Sequence, residues 1–174
     1  MPDTGTIRTK ITAILRKVRA RLISEDVFSE DEIWLSMKMS VPVNFQGDRW
    51  AIVVPLGERS DPRRDTGAGR ANTVSDLRFD IYVRSRCALD VAYRDEVWLN
   101  DPDFGVLDKV HEVIDVLQMY NPVDENDRVM LEEPMRWIFS AEPKKDQYKE
   151  DIGFGERYAE FQCRYVMDLD QSWK

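Results

Sequence analysis

Two cysteines in 174 residues, Cys87 and Cys163, are too few and too far apart for a disulfide scaffold or a Cys/His zinc site. A single histidine, His111, excludes a multi-histidine metal centre and leaves little room for imidazole catalysis. No apolar run approaches the ~20 residues that a membrane-spanning helix needs. The first ten residues, MPDTGTIRTK, lack the apolar stretch of a signal peptide. The expectation is a soluble intracellular protein with no metal, no cofactor and no membrane partner. Positive charge is also in the minority. Lys and Arg number 25 against 33 Asp and Glu, a net charge of −8, which argues against a generally basic nucleic-acid coat protein. Internal repeats, low-complexity tracts and clear linkers are missing. At roughly 150 residues per domain, residues 1–174 form about one domain.

What is present begins with a helix. Ile7, Ile11, Ile14, Leu15, Val18 and Leu22 share one helical face, and Thr4 or Thr6 can cap its start. Thr4 to Arg21 holds six bases and no acid; Glu25 to Glu32 then holds five acids in eight residues. Ile33 to Val43 alternates weakly, as a strand with Pro42 at its edge or in a bulge. Trp50 to Leu56 is a short buried strand. Gly57 to Asn72, GERSDPRRDTGAGRAN, has no period and reads as a long loop, a length that is functional or disordered in most compact domains. Leu77, Phe79, Ile81 and Val83 alternate with Arg78, Asp80, Tyr82 and Arg84, the clearest strand of the chain. Cys87 to Leu99 fits neither period.

Asp101 as N-cap and Pro102 as first helical residue predict a second helix. Its apolar face is Val106, Leu107, Val110, Val113, Ile114 and Leu117, and Asn121-Pro122 ends it. Val123 to Asp127 is a turn. Val129, Leu131, Met135, Trp137 and Phe139 mark a strand with a bulge or edge kink at Pro134, and Ala159 to Met167 marks another. The segment between them, AEPKKDQYKEDIGFG, reads as a long hairpin loop. The order lacks a βαβ repeat. It predicts an α+β fold: a largely antiparallel sheet, two amphipathic helices packed on one face, and long projecting loops.

No motif selects a chemistry. His111 falls at the border of a helix's apolar face, the place of a half-buried structural residue. The acids of Asp124 to Asp127 lack the spacing of a calcium loop. Gly67-Ala68-Gly69-Arg70 lacks the Gly-Lys-Ser/Thr ending of a phosphate loop, and a strand follows it rather than a helix. The same segment carries Arg59, Arg63, Arg64 and Arg70. Arginine forks suit protein and phosphate interfaces, so these four are candidate contacts to a partner; a solvated loop is the plain alternative.

The succession TIRTKITAILRKVRARL, WAIVVPLGE, a Gly/Arg loop, DLRFDIYVRS, PDFGVLDKVHEVIDVLQ and a closing hairpin resembles the tail terminator, or tail completion, proteins of long-tailed bacteriophages, over residues 6 to 169. That resemblance implies a non-enzymatic structural protein of the virion tail and neck, present in the host cytoplasm during assembly. It implies a ring, usually of six copies, that caps the tail tube and meets the head–tail connector, with possible passage of DNA through its lumen. Another neck or head-completion protein is the nearest alternative. A nucleic-acid-binding domain using the basic helix is a more distant one. Segregated bases and acids near the N-terminus offer unlike flanks of the kind a head-to-tail ring requires.

Overall fold

The structure, a computed structural model, describes residues 10–36, 47–60, 72–86, 101–102, 105–141 and 154–168. Helix α1 (Lys10–Ser24) buries Ile14, Leu15, Val18 and Leu22, the stripe set by their spacing. It stops in a Schellman turn. The Val27 amide donates to the Leu22 carbonyl (3.0 Å) and the Asp26 amide to that of Ile23 (3.1 Å), with Asp26 left-handed at φ 59°. Val27 and Leu22 are both buried, the apolar contact that accompanies this cap.

Strands β1 (Ile33–Leu35), β2 (Arg49–Ser60) and β3 (Asn72–Arg86) follow. Helix α2 (Leu107–Leu117) comes next, then β4 (Glu133–Ala141) and β5 (Phe154–Asp168). The five strands form one sheet in the order β1-β2-β3-β5-β4. Every pairing is antiparallel except β1 with β2, which is parallel. The α+β class and the largely antiparallel sheet are as expected.

One apolar cluster joins both helices to one face of the sheet. Ala51, Val53, Leu77, Phe79, Ile81, Val83, Ala159, Phe161 and Tyr165 meet Ile14, Val18, Leu22, Val110, Val113 and Leu117. Phe79 and Phe161, directly opposite in the β3–β5 register, stack with centroids 5.5 Å apart. Cys163 belongs to this core, and burial pushes its thiol up to about 12, so it behaves as an apolar filler.

Several expectations change. The Gly57–Asn72 loop is shorter than its composition suggests. Gly57 to Ser60 continue β2, with Glu58 opposite Leu77 and Arg59 opposite Asp76, and Asn72 already belongs to β3. A register shift between Pro55 and Gly57 makes this possible, since Leu56 is the extra residue of a β-bulge. The bulge switches the faces of the residues beyond it, as a one-residue change of register must. Glu58 therefore reaches the helix side, where its Oε1 accepts from the Tyr165 hydroxyl at 2.5 Å, and Arg59 goes to the other side.

The described part of the expected Ile33–Val43 strand is three residues long, and residues 37–46, including Pro42, lie outside the described residues. Asp101 and Pro102 do not open α2. That helix starts at Leu107 with no side-chain cap, after a separate turn in which the Gly105 amide donates to the Asp101 carbonyl at 2.6 Å. His111 is exposed, not half-buried. The Val123–Asp127 turn is present: Oδ1 of Asp124 accepts from the amides of Asn126 (2.7 Å) and Arg128 (3.0 Å). Val129 bridges to Val123, and the strand proper begins at Glu133, with the register shift expected at Pro134 lying between Glu133 and Arg136. The described residues contain no helix long and apolar enough to cross a membrane.

Candidate interaction surface

The second face of the sheet has a different chemistry. Residues facing away from the helices on β3 are Asp76, Arg78, Asp80, Tyr82 and Arg84. Their β5 partners are Arg164, Gln162, Glu160, Tyr158 and Glu156. Asp76 with Arg164 and Arg84 with Glu156 set opposite charges directly across the strands, the favourable arrangement for sheet neighbours. Arg164 is the densest node. Its guanidinium lies 2.7 Å from Asp76 on β3 and 2.9 Å from Glu133 on β4, tying three strands together. Arg84 pairs with Glu156, and Arg78 sits 2.6 Å from Glu160. On β2 the same face is apolar: Trp50, Ile52 and Val54 are buried, with Trp34 and Tyr82 packed against them.

One register pair breaks the charge alternation. Asp80 stands opposite Glu160, carboxylate against carboxylate. Asp80 is only 4% exposed. Its Oδ2 accepts from the Tyr82 hydroxyl at 3.0 Å, while its Oδ1 has no hydrogen-bond donor among the described residues. Loss of solvent pushes the Asp80 carboxyl up to about 6; the Tyr82 hydroxyl opposes that rise, Glu160 adds to it and Arg78 opposes it.

Strand β4 is the outer edge of the sheet on this side. Met135 is fully buried, and its amide and carbonyl are bonded to the Tyr120 carbonyl and the Met119 amide, both at 2.9 Å. The Trp137 amide donates to Oε1 of Gln118 at 2.7 Å. The segment leaving α2 therefore covers the first half of this edge. Its cost is Met119 in the left-handed region at φ 64°, where a glycine is the usual residue. Beyond that cover, Trp137, Ile138 and Phe139 are 44, 41 and 50% exposed in succession. A register shift between Trp137 and Phe139 prevents the simple in-out alternation and turns large apolar groups to both sides. Phe139 leans on Tyr158 (6.2 Å), which leans on Tyr82 (5.3 Å).

The other edge, β1, is unlike β4. It is short and held by a helix: Arg19 of α1 donates to the carbonyls of Ile33 (2.8 Å) and Glu30 (2.7 Å). Arg21 pairs with Glu25 at 2.5 Å. The basic helix and the acidic turn thus partly satisfy one another within the chain, rather than forming two separate outward flanks.

Of the four candidate arginines, Arg59 sits exposed on β2 beside the charged face. Arg63, Arg64 and Arg70 lie outside the described residues, so the four are not brought together in the described structure. Sequence reasoning missed Trp137-Ile138-Phe139 and the Asp80–Glu160 pair. Three consecutive large apolar residues in an otherwise alternating strand were a signal for the first. The second needed the β3–β5 register.

No protein-family model matches the chain. No curated protein matches it either.

Proposed function

We propose that this chain is a structural subunit of a phage neck, a tail terminator that caps the tail tube as a ring and meets the head–tail connector. The observation that carries the reading is the pair of unlike sheet edges. Edge β1 is short and partly covered by Arg19; edge β4 is open and apolar at Trp137, Ile138 and Phe139. A long exposed apolar edge invites pairing with another chain. When the two contacting patches differ, copies join head to tail, and such contacts form a ring when the rotation between neighbouring copies closes. The element order resembles the terminator family, and a six-copy ring is taken from that resemblance. Arg59, Arg63, Arg64 and Arg70 serve in this reading as contacts to a neighbouring copy or to the tube. The protein then belongs to the virion, at the tail and neck, and DNA passes through the ring.

Native mass measurement and electron microscopy of the purified protein mixed with tail tubes test this reading. The expected result is a closed ring seated on one end of the tube. A single isolated copy, or a two-fold dimer, in the assembled particle overturns it.

A further inference from the structure

We propose that buried Asp80, facing Glu160 across the β3–β5 pairing, is a proton-binding site that makes the outer sheet face firmer in mildly acidic solution than in neutral solution. The inference is independent of the ring reading. It starts from the register. The two carboxylates are direct cross-strand partners, a separation at which side chains touch and like charges destabilise. Elsewhere on this face Arg164 lies between Asp76 and Glu133, and Arg84 meets Glu156. The Asp80–Glu160 pair is the exception to that matching.

The groups around Asp80 offer little relief. From its own strand it faces the Tyr82 hydroxyl, which bonds Oδ2, and Arg78, which is committed to Glu160. Arg78 is also half in solvent, where screening weakens its field. From β5 it faces Glu160 and Tyr158. From β2 it faces no charge: Val54 is its register partner and Ile52 is that of Tyr82. From β4, Phe139 is the partner of Glu160 and carries no charge either. A buried carboxylate oxygen without a donor is costly, because it has lost water and gained no bond in return.

A proton from solvent removes the cost in one step. Bound at Oδ1 of Asp80, it cancels one of the two facing charges and turns an acceptor without a donor into a hydroxyl that can itself donate. The sign follows from linkage. The folded protein holds this proton to a higher pH than the unfolded chain, so stability is greatest when the site is protonated and falls as pH rises through about 6. Between pH 5 and pH 8 the folding equilibrium constant should fall about tenfold from this site alone. The site borders Tyr158 and Phe139, so it also adjoins the open end of β4.

The test is denaturant unfolding of the full chain at pH 5 and pH 8, as wild type, Asp80→Asn and the exposed control Asp108→Asn. Asparagine keeps the shape and removes the titration. The expected result is that Asp80→Asn abolishes about a tenfold difference that wild type and Asp108→Asn both show. An identical pH dependence in wild type and Asp80→Asn overturns the proposal. Carbon-13 titration of the Asp80 side-chain carboxyl in the wild-type protein decides the matter if the variant does not fold. A midpoint above pH 5 supports the site, and one at the ordinary aspartate value near 4 overturns it.

Discussion

The two faces of the central strands use the same backbone for opposite ends. On the helix side, β3 and β5 present Leu77, Phe79, Ile81, Ala159 and Phe161, all fully buried and without formal charge. One residue away along the chain, the other side presents Asp76 with Arg164, Arg84 with Glu156 and Arg78 with Glu160. The apolar side gains from area removed from water, a non-directional effect that tolerates small shifts. The charged side gains only from correct neighbours, because a carboxylate moved one strand position loses its arginine. The helix side thus supplies most of the stability, and the far side fixes the register in which β3, β5 and β4 meet.

The contrast is broken hardest from the apolar side. Phe79→Ala or Phe161→Ala removes half of a stacked pair and leaves a void, with an expected loss of about 3–5 kcal/mol in urea unfolding. Arg164→Met on the charged side leaves Asp76 and Glu133 without their shared cation, with an expected loss of about 1–3 kcal/mol. Adding Asp76→Asn to that variant should restore part of the loss, since it removes one of the stranded charges; a simple sum of two losses would show that the residues do not act together. At the sheet edge the balance inverts. Trp137→Ser combined with Phe139→Ser should change stability by about 1 kcal/mol or less, because both side chains are already half in water. The same pair should abolish the ring in native mass measurement. Smallest in stability is the joint replacement of Arg59, Arg63, Arg64 and Arg70 by alanine. It should leave the thermal transition nearly unchanged and impair particle assembly, and wild-type assembly would reduce these arginines to a solvated spacer.

Much of this fold is legible in the sequence wherever one face of an element is buried. Leu77 to Val83 and Ala159 to Tyr165 alternate because the helices cover one side and water or charge meets the other. The stripe of α1 is equally plain. Legibility fails where the backbone, not burial, decides. Gly57-Glu58-Arg59-Ser60 is polar on both sides, so nothing in its side chains signals a strand; its pairing with β3 is held by main-chain bonds. Gly57 reads as a turn residue, yet its φ is not left-handed and a Cβ there would meet open space within 4 Å. Asp101-Pro102 carries the signature of a helix start and forms a turn ahead of one. The parallel partnership of β1 with β2 joins Ile33 to Ala51, a choice made by tertiary packing that local pattern does not encode. For the interaction surface, residue types announce strands, whereas exposure of Trp137 and Phe139 follows from β4 having no strand beyond it among the described residues.

The bulge at Leu56 works as a frame marker for everything downstream in β2. Upstream of it, Ala51 and Val53 face the helices; downstream, the inward place passes to Glu58. Deleting Leu56 alone would remove the bulge and leave Glu58 opposite Leu77 and Arg59 opposite Asp76, now in plain alternation with Ala51 and Val53. Deleting Gly57 as well would exchange the layers: Glu58 would fall opposite Arg78 on the charged side, and Arg59 opposite Leu77 on the helix side. The bulge therefore holds one residue of length that the sheet can lose without any neighbour changing face, and a second loss at the same point is the one that swaps a cation into the core layer.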